Sequence, residues 1–110
     1  MKQREIWYAD LNPVKGSEQK GYRPVAIVSG DLVNTHLQIV IACPLTSKIK
    51  NYKGNIVLQP SAKNGLSAPS EILIFHIRSI SKDRLVRQIG SITPGELSTL
   101  KKGLDDILRY

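Results

Sequence analysis

Short apolar segments separated by polar, turn-forming segments make up most of the chain, and this pattern predicts a mainly β domain. The longest predicted strand, residues 71–80, is largely apolar on both faces, so we expect it to be central or covered on one face by a partner. Pro44 and Pro60 are expected to end the strands before them. The predicted strands cover residues 6–11, 25–28, 37–43, 55–59, 71–80 and 86–92.

The connections between these strands carry turn chemistry. Asn64-Gly65 is the strongest local turn signal in the chain, because both residues tolerate a left-handed backbone. Residues 30–35 predict a turn or a single helical turn, and residues 81–84 predict a short turn.

The last segment changes from the period of a strand to that of a helix. Thr93 is expected to be the N-cap, with Pro94 in the first helical position and Glu96 completing a capping box. One amphipathic helix must therefore pack on the sheet, which predicts a small, strongly bent sheet or barrel closed by a C-terminal helix. The apolar residues at helical spacing are Leu97, Leu100, Leu104, Ile107 and Leu108.

The length and charge of the chain narrow its function. At 110 residues it is expected to be one domain, residues 1–110. It carries 16 Lys+Arg against 9 Asp+Glu, a formal charge of +7 and a pI of about 9.8. Such a domain usually binds a polyanion, most often RNA or DNA. The alternative is that the charge serves only to keep the protein soluble.

Cysteine usage and hydropathy indicate a reducing compartment. Cys43 is the only cysteine and lies in an apolar strand, so we expect a buried structural thiol. The N-terminus has no signal-peptide core, and no apolar run is long enough to cross a bilayer. We therefore expect a cytoplasmic protein without membrane attachment. The histidines, cysteine and carboxylates lack the spacing of a metal site, so no cofactor is expected.

Candidate chemistry concentrates in residues 16–29, where a polar loop leads into a buried strand. Arg23 lies at the junction, and Pro24 biases it toward an extended backbone. Rigid sheets commonly position binding groups in this way, but an ordinary exposed loop is the plain alternative. Glu18 could act as a general base if its pKa were raised, or could be a solvated carboxylate.

A second candidate group follows Pro44. The hydroxyls of Thr46 and Ser47 could hold a phosphate, or could cap a turn as Ser and Thr often do. His76 is a candidate catalyst whose alternative is a hydrogen-bonded core or interface group. If the loops meet, they form a basic groove in which aromatic rings can stack on bases. The residues of that groove would be Lys15, Lys20, Tyr22, Arg23, Lys48, Lys50, Tyr52 and Lys53.

Three blocks of sequence resemble a known family. Residues 5–19 and 22–25 resemble the opening of the MazF/PemK/Kid toxins, the ribonucleases of bacterial toxin–antitoxin pairs. Residues 44–47 resemble the second block of that family, and residues 77–85 resemble the third. The blocks appear in the order of the family and extend over nearly the whole chain, and the first is the most specific.

The resemblance implies an SH3-like, strongly curved barrel with a C-terminal helix, assembled as a homodimer. It also implies metal-independent, sequence-specific cleavage of single-stranded RNA, with neutralisation by a cognate antitoxin. Arg23 and Thr46 match the catalytic arginine and threonine of the family, and Glu18 matches its loop glutamate. The residues expected to bind substrate are Ser47, Gln19, Lys20, Tyr22, Lys48, His76 and Arg78.

Two positions depart from the family pattern. His76 stands where many members have glutamine, and Phe75 stands where Kid-type members carry a functional acid. Glu18 is therefore the expected base. The alternatives are a non-enzymatic toxin on the same barrel, like CcdB, and a nucleic-acid-binding barrel without chemistry. CcdB depends on a C-terminal Trp-Gly-Ile, whereas this sequence ends in residues 108–110, Leu-Arg-Tyr.

Overall fold

The computed structural model of the chain describes residues 1–109; Tyr110, the last residue of the predicted domain, lies outside them. Helix α1 covers Asp31–His36 and helix α2 covers Pro94–Leu108, and single 3-10 turns lie at Gln19–Gly21, Ile74–His76 and Lys82–Arg84. The strands are β1 (Glu5–Asp10), β2 (Tyr22–Ile27), β3 (Ile39–Thr46), β4 (Ile56–Leu58), β5 (Ser70–Ile72), β6 (Arg78–Ser81) and β7 (Leu85–Ser91).

All the strand pairs within residues 1–109 are antiparallel. The sheet runs β4-β5-β3-β2-β1-β7, and β6 also pairs with β3. Strand β3 pairs with β6 from Ile39 to Ala42 and with β5 at Leu45 and Thr46, so it turns from one partner to the next. The predicted class, a mainly β, strongly bent sheet with a C-terminal helix, is confirmed.

The second half of β2 is buried on both faces of the sheet. Along β2, Ala26 contributes to the core that packs under α2, whereas Val25 and Ile27 contribute to a second core on the other face. Successive side chains of a strand point to opposite faces, so a strand between two cores must be apolar at every position. This is why residues 25–28 form a continuous apolar run.

Helix α2 begins as the sequence predicts. The Thr93 hydroxyl accepts a hydrogen bond from the Glu96 N–H at 3.0 Å, and the Glu96 carboxylate accepts one from the Thr93 N–H at 2.8 Å. The helix buries Leu97 and Leu100 and packs Leu104 against the core, but Ile107 and Leu108 in its last turn remain exposed. None of the helices in the described chain is long and apolar enough to span a membrane.

The predicted long strand over residues 71–80 is wrong. Strand β5 ends at Ile72, a 3-10 turn follows, and β6 begins at Arg78. The turn places the Ile74 side chain in the core, and the Ile74 N–H donates to the Asn55 side-chain oxygen at 3.1 Å. A continuous apolar run does not distinguish one long strand from two short ones around a buried turn.

The predicted end of a strand at Pro44 is also wrong, because β3 continues to Thr46. Pro44 lies between the residues of β3 that pair with β6 and those that pair with β5. Proline has no N–H to donate, and Pro44 lies at the junction between the two partner strands. Its carbonyl accepts a hydrogen bond from the Leu73 N–H at 2.8 Å. The consequence is that a regular strand holds Thr46.

Candidate functional site

A cavity of about 550 Å³ opens where β2 begins and β3 ends. The two strands are antiparallel and Val25 pairs with Pro44. The start of β2 and the end of β3 therefore lie side by side. We call this space the first cavity. Arg23 and Thr46 both line it, together with Tyr8, Tyr22, Ser67 and Arg87 among others.

Arg23 also lines a second cavity of about 340 Å³, together with Leu11, Gly21, Pro44, His76 and Arg78. Its side chain is partly exposed. Among residues 1–109 no hydrogen-bond acceptor or carboxylate pairs with the Arg23 guanidinium. Arg23 therefore borders both cavities, and its unpaired guanidinium suits a group that binds an anion.

The Thr46 hydroxyl oxygen is held by the backbone two residues further on. It accepts a hydrogen bond from the Lys48 N–H at 3.1 Å. This contact is the turn-capping arrangement that Ser and Thr side chains commonly make with the backbone. It uses only a lone pair of the hydroxyl, so the Thr46 proton stays available to an acceptor in the first cavity.

The loop of residues 11–21, which we call the upstream loop, folds around the carboxylate of Asp10. Asp10 is buried and accepts hydrogen bonds from the N–H groups of Asn12 and Gly16 and from the Asn12 side chain. The Asn12 amide also donates to the Glu18 carbonyl, and the Arg84 guanidinium donates to the Asn12 carbonyl. One buried acid therefore organises the loop that leads into Arg23.

These contacts determine the pKa of Asp10. Burial alone would raise the pKa of the carboxyl, but the hydrogen bonds from Gly16 and Asn12 and the nearby Arg84 charge outweigh it. The pKa of Asp10 therefore lies below its ordinary value of 3.8, and the group is ionised at neutral pH.

The loop of residues 47–55, which we call the downstream loop, folds around a second buried carboxylate. Glu71 lies on β5 opposite Thr46 and is fully buried. Its oxygens accept from the N–H groups of Lys50, Asn51 and Tyr52, at 2.8, 3.1 and 2.9 Å, and from the Asn55 amide at 3.0 Å. Burial alone would raise the pKa of Glu71, but these four hydrogen bonds hold it below its ordinary value of 4.5.

The structure separates the predicted site residues into three groups. Lys20, Tyr22, Ser47 and Lys48 line the first cavity with Arg23 and Thr46, and His76 and Arg78 line the second. Glu18 and Gln19 line neither of the two; the Glu18 carboxylate pairs with the Lys20 ammonium at 3.2 Å on the exposed surface.

The wider basic groove expected from the two loops forms only in part. Lys20 and Lys48 contribute to the first cavity, whereas Lys15 pairs with Asp83 at 3.6 Å. Tyr52 points elsewhere and packs edge-on against Phe75, with ring centroids 5.1 Å apart.

Sequence reasoning missed the contribution of β1 and β7 to the first cavity. Tyr8 and Arg87 are paired residues of these two strands, and both line the cavity. Ser67 lines it from the connection that follows the Asn64-Gly65 turn. No local signal in the sequence singles out Arg87, because its place beside Tyr8 depends on the pairing of β1 with β7.

Cys43 takes no part in this site. Its thiol is fully buried, as predicted, and burial raises its pKa to about 12, so the nucleophilic thiolate is negligible at neutral pH. Throughout residues 1–109, the side chains that commonly bind metals form no cluster of three or more.

Comparison with known proteins gives one family. Residues 2–108 match the model of the PemK-like, MazF-like toxins of type II toxin-antitoxin systems. Endoribonuclease MazF9 of Mycobacterium tuberculosis is 36% identical over 109 residues, covering 94% of this chain and 92% of that protein. Endoribonuclease EndoA of Bacillus subtilis is 37% identical over 90 residues, covering 81% and 78%. The crystal structure of MazF from Deinococcus radiodurans superposes with a TM-score of 0.79 at 26% identity, covering 98% of this chain and 96% of that one.

Proposed function

The chain belongs to the PemK-like, MazF-like toxin family of type II toxin-antitoxin systems, and from that premise we propose that it is an endoribonuclease that cleaves single-stranded RNA at a short sequence. The observation that supports this proposal is that Arg23 and Thr46, far apart in sequence, both line the first cavity. The charged side chains that line this cavity are all cations, as a phosphodiester requires.

The proposed reaction is an internal transfer at phosphorus. The 2′-hydroxyl oxygen of the substrate attacks the adjacent phosphorus, and the bond from phosphorus to the 5′-oxygen of the next nucleotide breaks. The proton of the 2′-hydroxyl passes to a base, and the leaving 5′-oxygen takes up a proton. The products are a 2′,3′-cyclic phosphate and a 5′-hydroxyl, and the nucleophile is already present in the RNA.

Arg23 and Thr46 have separate roles in this step. Negative charge gathers on the non-bridging oxygens as the phosphorane forms, and a fixed guanidinium beside them stabilises it by about 3–4 kcal/mol. The Thr46 hydroxyl donates to a phosphate oxygen while its own oxygen is held by the Lys48 N–H, which aligns the phosphate for attack.

Glu18 is the proposed base, and this role requires its side chain to move from its position in the structure. Its carboxylate must leave the Lys20 ammonium, 3.2 Å away, to reach the first cavity that Lys20 lines. His76 is the alternative, because its imidazole lines the second cavity on the other side of Arg23. Comparing Glu18→Gln with His76→Gln assigns the base, since only the correct variant loses the acidic limb of the pH–rate profile.

The remaining lining residues would bind the strand on either side of the cleaved bond. Ser47, Lys20, Tyr22 and Lys48 border the first cavity, and His76 and Arg78 border the second, so the RNA would pass across Arg23 from one cavity to the other. Gln19 would contact it from the rim. Sequence-specific recognition of RNA favours unpaired bases that stack on aromatic side chains.

Two partners follow from the proposed function. An acidic antitoxin segment would lie across the same cations and compete with RNA for Arg23, because opposite charge selects such a partner and speeds the encounter. A homodimer is supported by the exposed apolar side chains of Phe75 and Ile77, next to His76 and Arg78 at the second cavity. Bases would then be read in the groove between two subunits. The free Cys43 suits the reducing cytoplasm.

The proposal is tested by mapping the ends that the purified protein leaves on a long RNA in EDTA. We expect cuts at one short sequence, each with a 2′,3′-cyclic phosphate and a 5′-hydroxyl. A 2′-deoxy substitution at the cut position should abolish cleavage there. Binding without product ends would favour the nucleic-acid-binding barrel, and inactivity toward RNA with poisoning of a protein target would favour the CcdB-like alternative.

A further inference from the structure

The first cavity extends beyond Arg23 to Arg87, a cation that no step of the proposed cleavage uses. Arg87 on β7 pairs with Tyr8 on β1, and Tyr8 pairs in turn with Pro24 on β2, so the three residues cross the sheet in one row. Neighbouring strands lie about 4.8 Å apart, which puts the Arg87 backbone about 10 Å from that of Pro24. Arg87 thus lies at the other end of the cavity from the scissile site.

The guanidinium of Arg87 is positioned without being neutralised. Its central carbon lies 5.5 Å from the centre of the Tyr8 ring, the arrangement in which a cation is attracted to an aromatic face. In the described part of the chain no carboxylate forms an ion pair with it. The ring holds the group in place and leaves its N–H donors open to an anion in the cavity.

An aromatic surface connects this cation to the cleavage site. The rings of Tyr8 and Tyr22 lie 5.8 Å apart at an angle of 44°, and both line the first cavity. Tyr22 and Arg23 are successive residues of β2, and both line the first cavity. Bases stack on such rings whatever their sequence, because every base has a π face.

The opposite wall of the cavity is fixed to β7. Gly65 has a positive φ of 67°, and a Cβ atom there would lie 1.9 Å from the Ile89 carbonyl oxygen. The Asn64 side chain ties the same turn together by accepting from the N–H groups of Ser61 and Leu66, both at 3.0 Å. The space beside Arg87 is therefore preformed, as a ligand subsite usually is.

We infer that Arg87 binds the phosphate next to the scissile one, and that the base of that nucleotide stacks on Tyr8 and Tyr22. This inference rests on the proposed function, since it takes single-stranded RNA as the ligand. A planar guanidinium can donate two parallel hydrogen bonds to a phosphate, and none of the lining residues among 1–109 carries a carboxylate that would compete for it. Arg87 is thus a substrate-positioning residue outside the reacting group.

Binding to an uncleavable strand tests the inference separately from catalysis. The probe is an oligoribonucleotide with one 2′-deoxy substitution at the mapped cut; if the parent protein leaves RNA intact, the unmodified strand serves. We expect Arg87→Gln to weaken binding about tenfold and to reduce the slope of log affinity against log salt by about 0.7. The control is Lys101→Gln, which removes one exposed cation of α2 outside both cavities and should change neither quantity.

Single neutral methylphosphonate linkages then locate the contact. In the parent protein, a neutral linkage beside the scissile one should lower the affinity. In Arg87→Gln, strands with and without that neutral linkage should bind equally well. Neutral linkages further away should cost the two proteins equally. In cleavage assays the loss should fall on KM, whereas loss of Arg23 should fall on kcat.

Two results overturn the inference. One is an Arg87→Gln protein, folded by its thermal transition, that binds RNA as the parent does; the other is a loss spread equally over all linkages. If RNA is still cleaved when either result is obtained, only the inference about Arg87 is refuted and the proposed function is retained. Binding that depends on Arg87 in a protein that cuts no RNA would instead refute the nuclease and keep the subsite.

Discussion

Replacing Glu71 with glutamine perturbs the downstream loop while nearly preserving the shape of the side chain. In the parent, each carboxylate oxygen accepts two hydrogen bonds: one oxygen from Lys50 and Asn51, the other from Tyr52 and Asn55. In Glu71→Gln one oxygen becomes an NH₂ group, which faces two donors and can accept from neither. A flip of the Asn55 amide would restore one bond only by giving up the bond from the Ile74 N–H.

The expected cost follows from this count. Leaving a buried donor without a partner costs about 1–3 kcal/mol, so two such donors predict a loss of about 2–4 kcal/mol in the free energy of unfolding, after some relaxation of the loop. That is a large part of the 5–15 kcal/mol, roughly, that stabilises a domain of this kind. If the loop detaches locally instead, its amide protons at residues 50–52 should exchange faster while the core stays protected.

Denaturant unfolding followed by circular dichroism measures the first effect, and hydrogen exchange measures the second. The control is Asp106→Asn on α2, which removes an exposed pair with Lys102 at 3.9 Å and should cost at most about 0.5 kcal/mol. The reasoning is refuted if Glu71→Gln unfolds within about 0.5 kcal/mol of Asp106→Asn and its loop amides keep their protection.

Two further predictions concern the same two loops. Folding lowers the pKa values of Asp10 and Glu71, so both carboxylates stabilise the protein fully above their ordinary pKa values of 3.8 and 4.5. This stabilisation is lost as the pH falls below those values. The urea midpoint of unfolding should therefore decline in that pH range, and less steeply in Glu71→Gln. Gly21→Ala should lower stability by about 1–3 kcal/mol, because its Cβ would lie 1.9 Å from the Asn12 side-chain oxygen. Gly30→Ala should cost much less, because within residues 1–109 only its neighbours in sequence come within 4 Å of its Cβ. A Gly21→Ala protein as stable as Gly30→Ala would show that the upstream loop is not packed as described.

The sequence predicted those parts of the fold that depend on local chemistry. The capping box of Thr93 and Glu96 and the turn at Asn64-Gly65 require only neighbouring residues, and both are found. The continuous strand over residues 71–80 was wrong because the placement of Ile74 depends on Asn55 and on α2, which are distant in sequence. Local periodicity contains no information about such partners.

The candidate site divides in the same way. Arg23 and Thr46 were singled out first by their chemistry and their places next to predicted strands, and then by their match to a family motif. The antiparallel pairing of β2 and β3 brings them to one cavity. Arg87 was missed because its place beside Tyr8 depends on the pairing of the first strand with the last. A cation on a strand gives no sign of its purpose until its neighbours across the sheet are known.

The central claim is that Arg23 and Thr46 act on one phosphate, and single-turnover cleavage by Arg23→Ala, Thr46→Val and the double variant tests it most directly. Each single variant, confirmed as folded, should lose about 10²–10³ in rate. If the two groups act as a unit, the double variant should be little slower than the worse single variant. Parent-like cleavage by either single variant, or losses that simply multiply in the double variant, would contradict the account.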